Sequence, residues 1–304
     1  MEGKVKKSTK TGRILPKMRR IHIVNPAAGK GMASQSCHAN ADEEIYTSTS
    51  AGAITAWVRD ALREDPAIHF IVHGGDGTLN DAVNGILAAG CGGSAALSIV
   101  AAGSGNDFAR LINAAPKGTY PVDVMRCNGK YAVNMLNMGF DCDVVRKTEI
   151  YKKWPLLSGS MAYITALADV LCHPFGRRMC IELDGGEVLE QDCTLCAVAN
   201  GQFCGGGFRA ASLADFGDGL LDVLIIKKVT RRKFLTLVGR YREGTHLDGA
   251  TGLPIDDFRS VMEFRRCRLV RIGGITHICA DGEITEASEA RVEVVPGAVR
   301  FIVE

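Results

Sequence analysis

Three glycine-rich segments carry residue types suited to phosphate chemistry: Asn25-Pro-Ala-Ala-Gly-Lys-Gly31, Gly74-Gly-Asp-Gly-Thr78 and Gly103-Ser-Gly-Asn-Asp107. Glycine lets a backbone N–H approach a phosphate with no Cβ in the way. A helix start adds unpaired N–H groups and the positive end of its dipole. Asp76 stands inside the second segment, where an acid repels phosphate unless a divalent cation lies between them. It reads as a magnesium-facing residue or as a base. Thr78 and Asp81 have capping-box spacing, which puts Asp76 just before a helix. In the third segment Ser104 offers a hydroxyl and Asn106 an amide donor. The acids of Asp281-Gly-Glu283 read equally as an Asp-Gly hairpin turn. Neither a Gly-x-x-x-x-Gly-Lys-[Ser/Thr] loop nor a strand-linked Gly-x-Gly-x-x-Gly occurs, so any phosphate site is of neither the P-loop nor the dinucleotide type. His-Glu-x-x-His and Gly-x-Ser-x-Gly are absent, which removes zinc peptidases and α/β-hydrolases.

The elements that must position these loops follow from hydrophobic periodicity. Arg20–Val24, Ile68–Val72 and Leu97–Ala101 are short apolar runs, each ended by one of the three loops. Between them, Ile54/Trp57/Val58/Ala61/Leu62 and Leu79/Ala82/Val83/Ile86/Leu87 repeat at helical spacing, and Phe108, Leu111 and Ile112 begin another helix. Strands alternating with helices predict right-handed crossovers and a doubly wound parallel sheet. Its ligand crevice lies at the carboxyl ends of the strands, where the glycine loops fall. From about residue 126 the texture changes. Tyr131–Leu136, Met179–Leu183, Cys193–Val198, Leu221–Ile226, Leu269–Ile272 and His277–Ala280 read as strands of a mostly antiparallel β domain, with a hairpin around Pro296-Gly297. Helices are expected at Ser160–Leu171, with Met161, Tyr163, Ile164 and Leu167 read as core ahead of the lining of an acyl channel, and at Arg231–Tyr241.

Composition bounds the rest. The chain has 304 residues, 46% hydrophobic and 23% charged, a globular profile with room for two domains. The net charge of +2 argues against nucleic acid as a partner. Positive charge concentrates in residues 1–19, read as a basic, solvated tail. The 11 cysteines form no framework, and Cys193-Thr-Leu-Cys196 lies in an apolar run, so buried thiols in a reducing cytoplasm are expected. Residues 82–106 lack charge, but Asn84, Asn106 and several glycines speak against a membrane span.

Six motifs in order resemble those of the diacylglycerol kinase catalytic-domain family, in particular soluble bacterial lipid kinases related to sphingosine kinases. They are Asn25–Gly31, Gly74–Asn80 with Asn84-Gly85, Gly103–Arg110, Asn137–Phe140, Asp218–Asp222 and Asp281–Glu283. The resemblance implies an α/β nucleotide-binding domain at 20–125, joined by 286–304, and a C-terminal β-sandwich at 126–285 that takes the substrate. It implies an ATP site: Asn25 and Gly29 hold the nucleotide, Thr47 lines it, Gly74, Gly75, Gly77 and Thr78 cradle phosphates, and Gly103, Ser104, Gly105 and Asn106 approach from the third strand. It also implies structural Mg2+ at Asp215, Asp218 and the Leu220 carbonyl. Glu283 is the expected base, with Asp76 the competing candidate and Asp281 orienting or replacing Glu283. The reaction expected is transfer of a phosphoryl group to diacylglycerol or a related lipid alcohol. The enzyme would be cytoplasmic and peripheral on the membrane, with a homodimer left open. An NAD kinase-like soluble acceptor, or nucleotide binding without turnover, are the alternatives. The sequence departs from the family in a short stretch between Gly31 and Tyr46, which implies a truncated or missing first helix, in Ser104 for threonine and in Asp81 for glutamate.

Overall fold

A computed structural model describes residues 18–50, 52–154, 160–173 and 176–304. Most of the basic segment 1–19 therefore lies outside the described residues.

Side-chain alternation sets the first sheet. In β1 (Arg19–Val24) and β3 (Ile68–Gly74), Ile21, Ile23, Ile68, Phe70 and Val72 share one buried cluster with Ile54, Val58 and Leu62 of α2 (Ala53–Glu64) and Leu79, Val83 and Ile86 of α3 (Asp76–Ala88). Each such side chain, fully buried, contributes about 1.5–3 kcal/mol. β2 (Glu44–Thr47) and β4 (Ala96–Ala101) complete the parallel order β2-β1-β3-β4. The opposite face is covered by α1 (Met32–Ser36), only five residues long. α4 (Asp107–Ile112) follows the third glycine loop.

The remaining strands pair antiparallel: β5 (Gly118–Cys127), β6 (Lys130–Ala132), β7 (Met135–Gly139), β8 (Arg177–Leu183), β9 (Glu187–Ala199), β10 (Leu221–Lys227), β11 (Met262–Cys267), β12 (Leu269–Gly273), β13 (His277–Ala280) and β14 (Glu283–Glu286). β9 explains its own composition. Cys196 and Val198 enter the sandwich interior with Met138, Val223 and Ile272, while Leu195, Ala197 and Ala199 face a second cluster. That cluster includes residues of α5 (Phe140–Tyr151), α6 (Ser160–Cys172) and α7 (Arg231–Glu243). Both faces are buried, so the run is continuously apolar.

The final strand, β15 (Glu289–Val303), crosses between the halves. It pairs β12 and β5 along its length and meets β4 in parallel at Phe301–Leu97.

Four local expectations change. The Tyr131–Leu136 strand is interrupted at Val133–Asn134, because those N–H groups turn to the Asp281 carboxylate. Pro296-Gly297 is not a hairpin but a register shift inside β15, with Gly297 N–H donating to Asp123 Oδ1 at 2.7 Å. α5, without a clean apolar period, went unread in the sequence. In α6, Met161 and Ile164 are exposed and Tyr163 partly so, while Ala162, Ala166 and Val170 face the core. Small residues there allow close packing, and the large ones are left at the surface.

Candidate active site

Sheet register brings the loops level. Val24 pairs with Thr47 on one side and His73 on the other, and Gly74 pairs with Ala101. The Asn25, Gly74 and Gly103 loops and the exposed Thr47 thus leave the same edge of the sheet.

Close packing accounts for several glycines. A Cβ on Gly29, whose φ is +58°, would come within 2.1 Å of the Ala102 carbonyl oxygen. A Cβ on Gly103 would lie 2.4 Å from Gly75 Cα, so the second and third loops touch glycine to glycine. Gly74 packs against the Thr78 side chain and Gly105 against Asp76 Oδ2. Gly77, by contrast, faces open space. Gly103→Ala should cost about 1–3 kcal/mol through this overpacking and weaken nucleotide binding by parting the loops. Urea midpoints and calorimetry would read both, and an unchanged midpoint would mean the contact has slack.

The helix start differs from the capping-box expectation. α3 begins at Asp76 itself, with Gly75 at the N-cap and no side-chain cap. Thr78 Oγ1 instead accepts from Asn25 Nδ2 at 3.1 Å, tying the first loop to the second. Asn25 Oδ1 accepts from Ala27 N. The first turn of α3 is therefore an uncapped helix N-terminus beside the open space at Gly77, and its residues fit a polyphosphate. Asn84 Nδ2 donates to the carbonyls of Asn80 and Tyr131, latching α3 to β6.

Asp76 reaches across to α4. Its Oδ2 accepts from Asp107 N and its Oδ1 from Phe108 N, both at 3.0 Å. Ser104 is exposed at the rim. Asn106 closes its own loop, accepting from Gly103 N at 2.8 Å and donating to Gly103 O at 2.9 Å. Both atoms of its amide are thus engaged inside the protein. Asp107, which carried no assigned role in the sequence, accepts from Gly206 N at 2.9 Å and joins the halves.

The acids of the β13–β14 turn meet this surface. Asp281 Oδ2 accepts from Val133 N at 2.7 Å, and its Oδ1 accepts from Asn134 N at 3.1 Å and Met135 N at 2.9 Å. Burial pushes its carboxyl up to about 6 despite those donors, with Asp76 adding like charge. Glu283 is exposed and its side chain makes no hydrogen bond among the described residues. Burial, then the charge of Glu283, raises the Asp81 carboxyl on α3. Asp76, Asp81, Asp281 and Glu283 therefore form one acidic group drawn from both halves.

Asp215, Asp218 and Leu220 lie in a separate loop. Asp215 Oδ1 accepts from Gly217 N and Asp218 Oδ1 from Leu220 N, each at 3.0 Å. Burial raises Asp218, as do the charges of Asp215 and Asp123. These oxygen donors fit a hard cation, although Arg266 Nη1 lies 4.0 Å from Asp218 Oδ2 and shares that role. Asp123 escaped the sequence reading. It sits in β5 and accepts from Gly219 N and Gly297 N, each at 2.7 Å.

The basic runs Arg231-Arg232-Lys233 and Arg265-Arg266 are largely committed. Arg231 donates to carbonyls at the end of α6, Lys233 pairs with Asp257, and Arg265 and Arg266 pair with Glu187 and Asp222. All cysteines are free thiols. Burial raises Cys193 to about 11 and Cys196 further still, as inert structural thiols require.

A parallel sheet with phosphate-type loops at its carboxyl edge, joined to a β-sandwich that returns acids to those loops, defines a two-domain phosphotransferase architecture. Residues 19–138 match the diacylglycerol kinase catalytic domain, and residues 134–303 match the YegS C-terminal NAD kinase beta sandwich-like domain. The chain therefore belongs to this family of lipid kinases. It is 30% identical over 251 residues to a diacylglycerol kinase of Mycobacterium tuberculosis, spanning 76% of this chain and 75% of that one. It is 26% identical over 256 residues to a diacylglycerol kinase of Bacillus subtilis, spanning 76% and 81%. The crystal structure of a Bacillus anthracis diacylglycerol kinase superposes with a TM-score of 0.64 at 20% identity, covering 94% of this chain and 97% of that one.

Proposed function

We propose that the protein uses ATP and Mg2+ to phosphorylate the hydroxyl of diacylglycerol or a related lipid alcohol presented at a membrane surface. One observation carries the reading: Glu283, whose side chain makes no hydrogen bond among the described residues, lies close enough to α3 for its charge to raise Asp81, on the helix whose start is uncapped. ATP supplies the γ-phosphoryl group. The N–H groups at the start of α3 would bind its phosphates, with Gly75 and Gly103 holding the loops together. Asn25, Gly29, Thr47 and Ser104 would line the nucleotide. Glu283 would take the acceptor's proton, while Asp281 fixes its turn and Asp76 fixes α4. Asp215, Asp218 and the Leu220 carbonyl would hold a structural Mg2+ remote from the chemistry.

Lipid rather than soluble acceptor is supported by the surface. Ile150, Trp154, Met161 and Ile164 of the α5–α6 region expose 47–62% of their area. No helix among the described residues is long and apolar enough to cross a membrane, so this apolar rim would dock a cytoplasmic protein peripherally. Replacing Trp154, Met161 and Ile164 together by Ser should weaken sedimentation with phospholipid vesicles at least about tenfold, as three apolar side chains of about 1.5–3 kcal/mol each leave the bilayer, while nucleotide binding stays unchanged. Equal sedimentation of both proteins would remove this surface from the reading.

The reaction itself is tested with γ-labelled ATP and diacylglycerol, sphingosine, undecaprenol or NAD as acceptors. Label in an organic-phase product is expected. Label on NAD alone, or nucleotide binding without transfer to any acceptor, would overturn the proposal.

A further inference from the structure

The thinly covered face of the parallel sheet carries buried histidines, among them His22 of β1 and His73 of β3. Their rings stack with centroids 5.1 Å apart, and His22 Nδ1 lies 2.8 Å from His73 Nε2. Cys37, directly after α1, completes a group whose donor atoms all lie within 4.8 Å of one another.

The protons can be assigned from the neighbours. Glu43 accepts from Asn40 N at 2.8 Å and from Asn40 Nδ2 at 3.0 Å, and its other oxygen lies 2.8 Å from Arg20 Nε. Asn40 N, Asn40 Nδ2 and the Arg20 guanidinium surround Glu43 with donors, the setting of an ionised carboxylate. A carboxylate only accepts, so His22 Nε2, 3.1 Å from Glu43 Oε2, carries the ring proton. His22 Nδ1 is then a lone pair. On the other ring, Ser36 Oγ donates its single proton to the Ala33 carbonyl at 2.9 Å. With that proton on the carbonyl, Ser36 accepts from His73 Nδ1 at 3.0 Å and His73 Nε2 is a second lone pair. Two imidazole lone pairs thus face each other beside a thiol. A cation bridges such a pair, either a shared ring proton at this 2.8 Å separation or a metal ion that also takes the thiol.

We propose that His22 Nδ1, His73 Nε2 and Cys37 Sγ bind one zinc ion, with a solvent molecule as the fourth ligand. Imidazole and thiolate are zinc donors, and the Glu43–His22 contact is the outer-shell carboxylate that orients a ligating imidazole. The rings must part by about half an ångström, because two nitrogens about 2.0–2.1 Å from a tetrahedral zinc lie about 3.3–3.4 Å apart. Binding releases the Cys37 thiol proton to solvent. The ion would clip the short segment after Gly31 to the sheet. His73 directly precedes the Gly74 loop, and its carbonyl accepts from Asn25 N at 3.3 Å. The staple therefore lies beneath two of the glycine loops and substitutes for the helical cover that α1 is too short to give.

The test is a Co2+ titration of the full chain, stripped of metal and kept reduced, followed by absorbance. One equivalent should bind with a thiolate-to-cobalt charge-transfer band in the near ultraviolet that Zn2+ abolishes by competition. Cys37→Ser should lose the band, Cys180→Ser should keep it, and Glu43→Gln should keep it but bind about 10–100-fold more weakly. Zn2+ should raise the melting temperature of the native chain and not that of Cys37→Ser. His73→Gln repeats the test should the cysteine variant fold poorly by circular dichroism. Absence of saturable binding with the band in the native chain, or persistence of the band in Cys37→Ser, overturns the site.

Discussion

Glu283→Gln should lower turnover by about 10²–10⁴-fold, the range of a lost general base, with nucleotide affinity nearly unchanged. Ala280 and Glu283 pair across the Asp281-Gly282 turn. Asp281 is pinned by three backbone N–H groups, so the turn cannot drift. Its neighbour's carboxylate is left exposed and uncommitted. Glutamine keeps the length and the hydrogen-bonding capacity but cannot accept a proton. Single-turnover transfer of labelled phosphate, together with calorimetric titration of ATP, separates the two quantities. A variant that turns over like the native chain would shift the base to Asp76.

Asp76→Ala should abolish transfer and also lower stability by about 1.5–3 kcal/mol, the range for hydrogen bonds to a charged group. Both its oxygens accept backbone N–H groups at the start of α4, so the residue is a cap as well as a member of the acidic group. Its negative charge also opposes the positive end of the α4 dipole. Asp76→Asn retains one oxygen for that role and should recover part of the stability but little of the transfer. Urea midpoints and transfer rates on the same preparations check this. Transfer at the native rate in the alanine variant would refute a role in the reaction, and an unshifted midpoint would refute the cap.

Much of the site was legible because its residues are local. Each glycine loop lies within a few residues of a strand end, and period-2 or period-3.6 apolar patterns identify the flanking elements. Met161 and Ile164 read as core because α6 is apolar on most of its circumference, and its few polar residues mark no exposed side. Asp123, Asp107 and Asp222 were invisible as partners. Each bonds to a backbone or an arginine far along the chain, and no spacing rule encodes such a contact.

The sequence by itself determined the order of strands and helices, the three phosphate-type loops and the family they belong to, because these depend on neighbouring residues and on the conformations only glycine allows. The tertiary structure alone decided what those residues are occupied with. It set Asp76 against α4, turned the Asn106 amide inward and brought Asp281 and Glu283 to α3 from about 200 residues away in the chain. It also placed the buried His22 and His73 beside the half-buried Cys37. Sheet register and chain return fix such contacts, and both come from packing the two halves around β15, beyond the reach of any local pattern.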